Sequence, residues 1–118
     1  MTNIKRFEDL VIWQDSRSLA NSIYGCFKVI KDYGIKDQVQ RAAVSVMNNI
    51  AEGFERETDP EFIRFLYIAK ASCGEVRSIL FLSQDLGYVD NATAKKLISQ
   101  CLKLSGSISN FIKYLKSG

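Results

Sequence analysis

The sequence predicts an all-α protein that forms an antiparallel up-down-up-down four-helix bundle. Apolar residues recur at spacings of three and four through most of the chain, which is typical of amphipathic helices. Turn-forming residues interrupt the chain strongly at only three points, and no segment shows the alternation of a strand. Because long helices joined by short connections lie antiparallel to their neighbours, we expect one domain over residues 1–118. Its helices are predicted at about 9–32, 36–56, 59–86 and 91–116.

The three connections are predicted from capping residues. Residues 33–34, Tyr-Gly, are expected to close the first helix, because glycine readily takes the left-handed conformation that ends a helix. Thr58 can cap the third helix, with Glu61 as the other half of a capping box. The third helix is expected to end at the Leu-Gly-Tyr run of residues 86–88. The aspartate or the asparagine at 90–91 can then cap the fourth helix.

The composition excludes several classes of enzyme. The chain has no histidine, which excludes Ser-His-Asp and Cys-His hydrolases, histidine-ligated metals and a histidine general base. Cys26, Cys73 and Cys101 are widely separated and form no C-x-x-C pair, so we expect reduced, buried thiols. The sequence also has no glycine-rich phosphate loop. We therefore expect no catalytic residue, cofactor, metal site or small-molecule substrate.

The apolar patterning indicates a cytoplasmic protein. The first ten residues are interrupted by charges, whereas a secretory signal needs an apolar stretch of roughly 7–15 residues. Purely apolar runs such as residues 79–82 are far shorter than the roughly 20 residues that cross a bilayer. We expect neither a secreted nor a membrane protein.

The second helix is predicted to carry two separate stripes. At 100° per residue, one narrow stripe is apolar and contains Val39, Ala43, Val46, Ile50 and Phe54. A second, which we call the polar stripe, falls within roughly 80° and contains Gln38, Arg41, Ser45, Asn49, Glu52 and Arg56. Gly53 lies between them, and a glycine in a helix interior costs roughly 1 kcal/mol relative to alanine. We therefore expect a close neighbour to use its missing side chain.

The polar stripe has three interpretations. It could be a solvated surface with arginine–glutamate pairs, such as Glu52 with Arg56. However, Arg, Gln, Ser and Asn make directed hydrogen bonds in partly buried places, which favours a structural or intersubunit network. A ligand site is the third interpretation. An enzyme hypothesis would rest only on Arg41, Asn49, Glu52 and Arg56, and these would have to line an open concavity.

Several runs of residues resemble the 23S rRNA intervening-sequence proteins, bacterial four-helix-bundle proteins whose founding members are encoded inside insertions in large-subunit ribosomal RNA genes. The most specific run is QVQRAAVSV at 38–46, followed by NIAEG at 49–53 and Arg56. FEDLVIWQ at 7–14, LGY at 86–88 and the spaced residues of 61–75 also match, so the resemblance covers nearly the whole chain. Two departures are the cap at 58–61 and the Cys-Gly pair at 73–74, where Gly74 suggests a local close contact.

The resemblance implies a four-helix protomer that assembles into a ring-like homopentamer. The family is similar in fold to the accessory protein of diversity-generating retroelements, which binds nucleic acid and reverse transcriptase. The resemblance supplies no catalytic residues, because the family's biochemical function is not established.

The charges are distributed unevenly along the chain. Sixteen basic and thirteen acidic residues give a net charge of +3. Residues 1–90 carry 11 basic and 13 acidic side chains, a balance of −2, whereas residues 91–118 carry five lysines and no acid, a balance of +5. These are Lys95, Lys96, Lys103, Lys113 and Lys116. They could contact the phosphates of RNA or DNA, or they could only solubilise the last helix and complement its dipole.

Two functions follow as competing hypotheses, both non-enzymatic. The first is an oligomeric scaffold that binds RNA or DNA through the lysine-rich helix. The second is a protein-interaction adaptor that binds no nucleic acid. In either case the apolar residues outside the main stripes, Val44, Met47 and Phe81, indicate surface that copies of the chain bury on assembly.

Overall fold

Four helices and a short 3-10 turn make up the computed structural model, which describes residues 3–118. The turn is Phe7–Asp9, and the helices are α1 (Val11–Phe27), α2 (Tyr33–Phe54), α3 (Asp59–Asp85) and α4 (Asn91–Ser117). Strands are absent from the described residues. The Cα atoms extend over 45 × 20 × 20 Å, the shape of an elongated bundle. The predicted all-α four-helix fold is confirmed.

Side-chain contacts show the direction in which neighbouring helices run. Contacts between α2 and α3 pair early residues of one helix with late residues of the other: Gln38 with Glu75, Ser45 with Ser72, and Gly53 with Phe62. Contacts between α3 and α4 follow the same rule: Gln84 with Asn91, Cys73 with Cys101, and Tyr67 with Lys116. Both pairs are therefore antiparallel. Because α1 packs against α2 and α4, the four helices enclose one core.

The core consists of the apolar stripes of all four helices. Its fully buried side chains include Phe27, Ile50, Leu66, Leu80 and Ile108, which together represent every helix. Each such side chain contributes roughly 1.5–3 kcal/mol of burial free energy before conformational entropy is subtracted. The helices are held together chiefly by this apolar contact.

The first connection differs from the prediction. α1 ends at Phe27, and α2 already begins at Tyr33, so residues 33–34 open the second helix and do not close the first. Asp32 is the reason, because its Oδ1 accepts the backbone N–H of Ile35 at 3.2 Å and caps α2. Gly34 has no positive φ, so it does not act as a left-handed helix terminator.

The caps of α3 and α4 are as predicted. Thr58 Oγ1 accepts the backbone N–H of Glu61 at 3.3 Å, and the Thr58 hydroxyl also reaches the Glu61 carboxylate. Asp90 Oδ1 accepts the backbone N–H of Thr93 at 2.8 Å, and this hydrogen bond lowers the pKa of Asp90. Gly87, with φ +75°, adopts the left-handed conformation between these helices.

Two glycines have opposite environments. A Cβ on Gly53 would lie 2.8 Å from Phe62 Cδ1 and 2.8 Å from Phe65 Cβ, so the predicted close neighbour is α3. The close contact predicted at Gly74 is wrong for the isolated chain, because nothing lies within 4 Å of a Cβ built there. Gly74 faces outward from α3 and touches neither of its neighbouring helices at this point.

We predict that Gly53→Ala destabilises the protein by about 1–2 kcal/mol, because overpacking exceeds the gain in helix propensity. The matched control is Gly106→Ala on α4, where nothing lies within 4 Å of the added methyl. This control should stabilise the protein by up to about 1 kcal/mol. Urea unfolding measures both values, and equal stabilities for the two variants would contradict the close packing at Gly53.

Candidate functional site

The polar stripe has a half-buried centre between α2 and α3. The hydroxyls of Ser45 and Ser72 are 2.8 Å apart, so one donates to the other. Asn49 Nδ2 donates to the Ser45 carbonyl at 2.8 Å and to its hydroxyl at 3.0 Å. The three side chains form a hydrogen-bonded group at the boundary of the two helices. These bonds stabilise the contact, because helix packing partly removes the same polar groups from water.

The ends of the polar stripe are exposed. Gln38 Nε2 donates to Glu75 Oε2 at 3.4 Å, a long contact across the α2–α3 boundary. Arg41 pairs with Asp37 at 2.8 Å, but both side chains are more than 60% exposed, so the pair adds little stability. The Arg56 guanidinium lies 4.9 Å from the ring centroid of Phe65. The stripe therefore joins helices at its centre and meets solvent at both ends.

Part of the polar stripe lines an open groove beside α1. Arg41, Ser45, Asn49 and Glu52 border it, together with Tyr24 of α1, over a volume of about 440 Å³. Binding sites for small molecules usually enclose most of their ligand, and this groove is wide open to solvent.

The fourth member of the enzyme hypothesis lies elsewhere. Arg56 borders a second depression, which it shares with Glu52, Phe7 and Glu55, and its guanidinium stacks on Phe65. Glu52 is therefore common to both depressions, whereas Arg41 and Asn49 border only the first and Arg56 only the second. The structure thus does not bring Arg41, Asn49, Glu52 and Arg56 together around one reacting position.

The five lysines of α4 are exposed along the whole helix. At 100° per residue they span an arc of about 160° on its outer side. Lys116 is held in place, since its Nζ donates to the Tyr67 hydroxyl at 2.9 Å and lies 5.3 Å from the ring centroid. This hydrogen bond, with the charge of Lys116 and a smaller effect of Lys70, lowers the pKa of Tyr67. Within residues 3–118, no carboxylate lies within 4.0 Å of these ammonium groups.

Two cations of α3 border the same surface and were missed by the sequence analysis. Lys70 is near enough to Tyr67 for its charge to act on the phenol. Arg77 acts in the same way on Cys73 and Cys101, which face each other across α3 and α4. The spacing of seven residues, which puts positions 70 and 77 on one side of a helix, was the available signal.

The three cysteines are free thiols in the structure, as predicted. Cys73 and Cys101 are buried as predicted, but the prediction of a buried thiol is wrong for Cys26, which is half-buried at the end of α1. The hydrogen bond with Cys73 and burial raise the pKa of Cys101, so its thiol stays protonated and behaves as a small apolar group. Among the described residues, no three side chains of His, Cys, Asp or Glu converge as metal ligands would.

The outward side of α3 carries four large exposed apolar side chains, and Arg64, Glu75 and Asp85 are exposed on the same arc. Tyr67, Ile68, Phe81 and Leu82 are each between 42% and 53% exposed. Small residues separate the two apolar pairs: Ala71, Gly74 and Ser78. We call this set of seven residues the α3 outer face. Of the residues predicted to lie outside the main stripes, Phe81 belongs to it, whereas Val44 and Met47 are half-buried on α2.

The geometry defines a four-helix-bundle protein with no charged residue buried among those described and with a half-buried polar contact between α2 and α3. The chain belongs to the family of the 23S rRNA-intervening sequence protein, whose model matches residues 8–110. This match confirms the family resemblance.

A solved structure of low sequence identity shows the same fold. It is described as a protein of unknown function from the S23 ribosomal protein family of Bacteroides thetaiotaomicron. It is 21% identical, with a TM-score of 0.82, and the alignment covers 87% of this chain and 99% of that one. No curated protein sequence matches the chain. Within residues 3–118, no helix is long and apolar enough to span a bilayer.

We predict that the centre of the polar stripe stabilises the fold and that its ends do not. Ser72→Ala should lower the free energy of unfolding by about 1 kcal/mol, since it removes the hydrogen bond with Ser45. Arg41→Gln should change it by less than about 0.5 kcal/mol, because the ion pair with Asp37 is exposed. Urea unfolding of both variants checks this, and a larger loss for Arg41→Gln would refute the division.

Proposed function

We propose that the protein is a non-catalytic, homo-oligomeric scaffold that binds nucleic acid through α4. The observation that carries this proposal is the composition of α4, which has five exposed lysines and no carboxylate over 27 residues. Lysine ammonium groups bind phosphates and release the counterions condensed on them, so such a surface attracts any nucleic acid.

The surroundings of α4 support this proposal. Lys70 and Arg77 add positive charge where α3 borders α4. Glu75 lies on the opposite side of α3, where its carboxylate accepts a hydrogen bond from Gln38. On the α1 side, Asp15 borders the same depression as Lys103 and lowers the potential there. The potential is therefore expected to be most positive along the border of α4 with α3.

The α3 outer face supports self-association. It places four large apolar side chains, each roughly half exposed, on one side of one helix. Single exposed apolar residues need no explanation, but a group of four indicates an interaction surface. The small residues between them would let a second helix approach closely. We propose another copy of this chain as the occupant, in the pentameric arrangement that the family resemblance implies. A ring would combine the charges of several α4 helices into one field.

The absence of catalysis and the cytoplasmic location are also part of the proposal. The polar stripe of α2 supports the first, because its half-buried members bond to the bundle and its remaining members lie on open surface. The free thiols of Cys73 and Cys101 support the second, since reduced cysteines are typical of reducing compartments.

The nucleic-acid proposal predicts steep salt dependence. Changing Lys95, Lys96 and Lys103 together to glutamine should weaken binding to a 16-base-pair DNA at least about tenfold at low salt. The slope of log K against log salt should also become shallower, by up to about 0.9 for each lost phosphate contact. Fluorescence anisotropy measures both.

The matched control changes Lys5, Lys28 and Lys31 to glutamine. It removes the same charge from exposed positions near the N-terminus and in the α1–α2 connection. Its affinity should stay close to that of the unchanged protein. An equal loss in both triple variants would show that only net charge matters, and no binding at low salt would refute the proposal.

The self-association proposal predicts that charges on the α3 outer face dissociate the oligomer. Ile68→Glu with Leu82→Glu should shift the protein to monomer at micromolar concentration, as measured by light scattering, with the helical circular dichroism unchanged. The control Val29→Glu, at a position 81% exposed in the α1–α2 connection, should leave the mass unchanged. A monomeric unchanged protein would refute self-association and favour the adaptor hypothesis.

A further inference from the structure

The cations of α4 fall in three groups along the helix: Lys95 with Lys96, then Lys103, then Lys113 with Lys116. Lys95 and Lys103 are eight residues apart, about 12 Å along the axis, and Lys103 and Lys113 are ten residues apart, about 15 Å. In a duplex, phosphate strands flank a groove about 12 Å wide in the B form. Lysines of successive groups are therefore about one groove width apart, so they can contact successive phosphate strands of a duplex that lies along the helix.

A second row of cations lies parallel to the first. Lys70 and Arg77 are seven residues apart on the border of α3 with α4, about 10 Å along the axis. Axes of packed helices are about 8–10 Å apart, so the two rows form a surface with width as well as length. A single strand would follow one row, whereas a duplex can contact both.

The shape of this surface excludes base recognition in a groove. α4 packs against α3 on one side and α1 on the other, so it does not project as an isolated helix. A groove of B-form DNA admits one helix, and a side of the bundle is broader than that. Contacts must therefore fall on phosphates and sugars, which carry no sequence information directly.

The surface also offers little for stacking single-stranded bases. The middle of α4's exposed side carries Ser99, Leu102, Gly106 and Asn110. Tyr67 and Tyr114 are each nearly half exposed, but both lie beside the last turns of α4, and one face of each ring is covered, by Lys116 at 5.3 Å and by Phe111 at 5.8 Å. Proteins that bind single strands without sequence preference depend on aromatic platforms for successive bases.

We infer that the α3–α4 surface binds double-stranded nucleic acid through the phosphates of both strands, independently of sequence. This inference rests on the proposed nucleic-acid function and specifies its ligand. The shared chemistry is a duplex phosphate backbone, so double-stranded DNA and double-stranded RNA are separate arms of the test.

The experiment compares 16-base-pair duplexes of DNA and of RNA with 16-nucleotide single strands of the same sequences, by fluorescence anisotropy at one salt concentration. The duplex of at least one kind should bind about tenfold or more tightly than its single strand. Two unrelated duplex sequences should bind within about twofold of each other. Because 27 helical residues span about 40 Å, an 8-base-pair duplex should bind more weakly than 16 base pairs.

A variant separates the two rows of cations. Lys70→Gln should weaken duplex binding several-fold and single-strand binding less, whereas the control Lys28→Gln should change neither. Single strands binding as tightly as duplexes, or Lys70→Gln weakening both equally, would overturn the inference and leave the proposed function standing. Failure of every nucleic acid to bind would instead refute the proposed function itself.

Discussion

The close approach of α2 to α3 at Gly53 determines how the rest of the bundle is arranged. Phe62 and Phe65 occupy the space that a side chain at position 53 would need. Phe62 also packs edge-on against Phe54 at 6.0 Å and Phe111 at 5.6 Å, so one ring joins α2, α3 and α4. The contact of Gly53 with α3 fixes which residues of α2 and α3 face each other along the rest of the two helices. The contact of Phe62 with Phe111 then positions α4 against them.

The contact at Gly53 explains why the polar stripe has a structural centre. Because α2 and α3 are close, the hydroxyls of Ser45 and Ser72 lie within hydrogen-bond distance. The side-chain amide of Asn49 donates a second hydrogen bond to the Ser45 hydroxyl. Larger side chains at these positions would keep the helices apart. The same packing turns one side of α3 inward to the core and leaves four large apolar side chains exposed on its opposite side, which is the basis of the proposed assembly.

Local chemistry explains which parts of the fold the sequence could predict. The starts of α3 and α4 depend on Thr58 and Asp90, whose side chains cap backbone groups three residues away, and both were predictable. The first connection was not, because a glycine can either end one helix or lie in the first turn of the next. The choice was made by Asp32, which caps α2 and accepts from the Tyr88 hydroxyl at 2.9 Å, a contact between distant parts of the chain. The spacing of residues within α2 likewise predicted the polar stripe, but it could not predict its partner Ser72, because Ser72 lies 27 residues from Ser45 on another helix.

The cationic surface shows how helix packing creates a charge separation that the totals conceal. A net charge of +3 spread evenly would give no directed potential. In the bundle, α4 contributes only cations, and α3 turns Lys70 and Arg77 toward α4 but Glu75 toward α2. Glu75 lies two residues before Arg77, so helix geometry alone puts its carboxylate on the far side of α3 from the lysines, where it meets Gln38 at 3.4 Å. The rotation of α3 that brings Ser72 to Ser45 of α2 therefore also turns Lys70 and Arg77 toward α4 and Glu75 away from it.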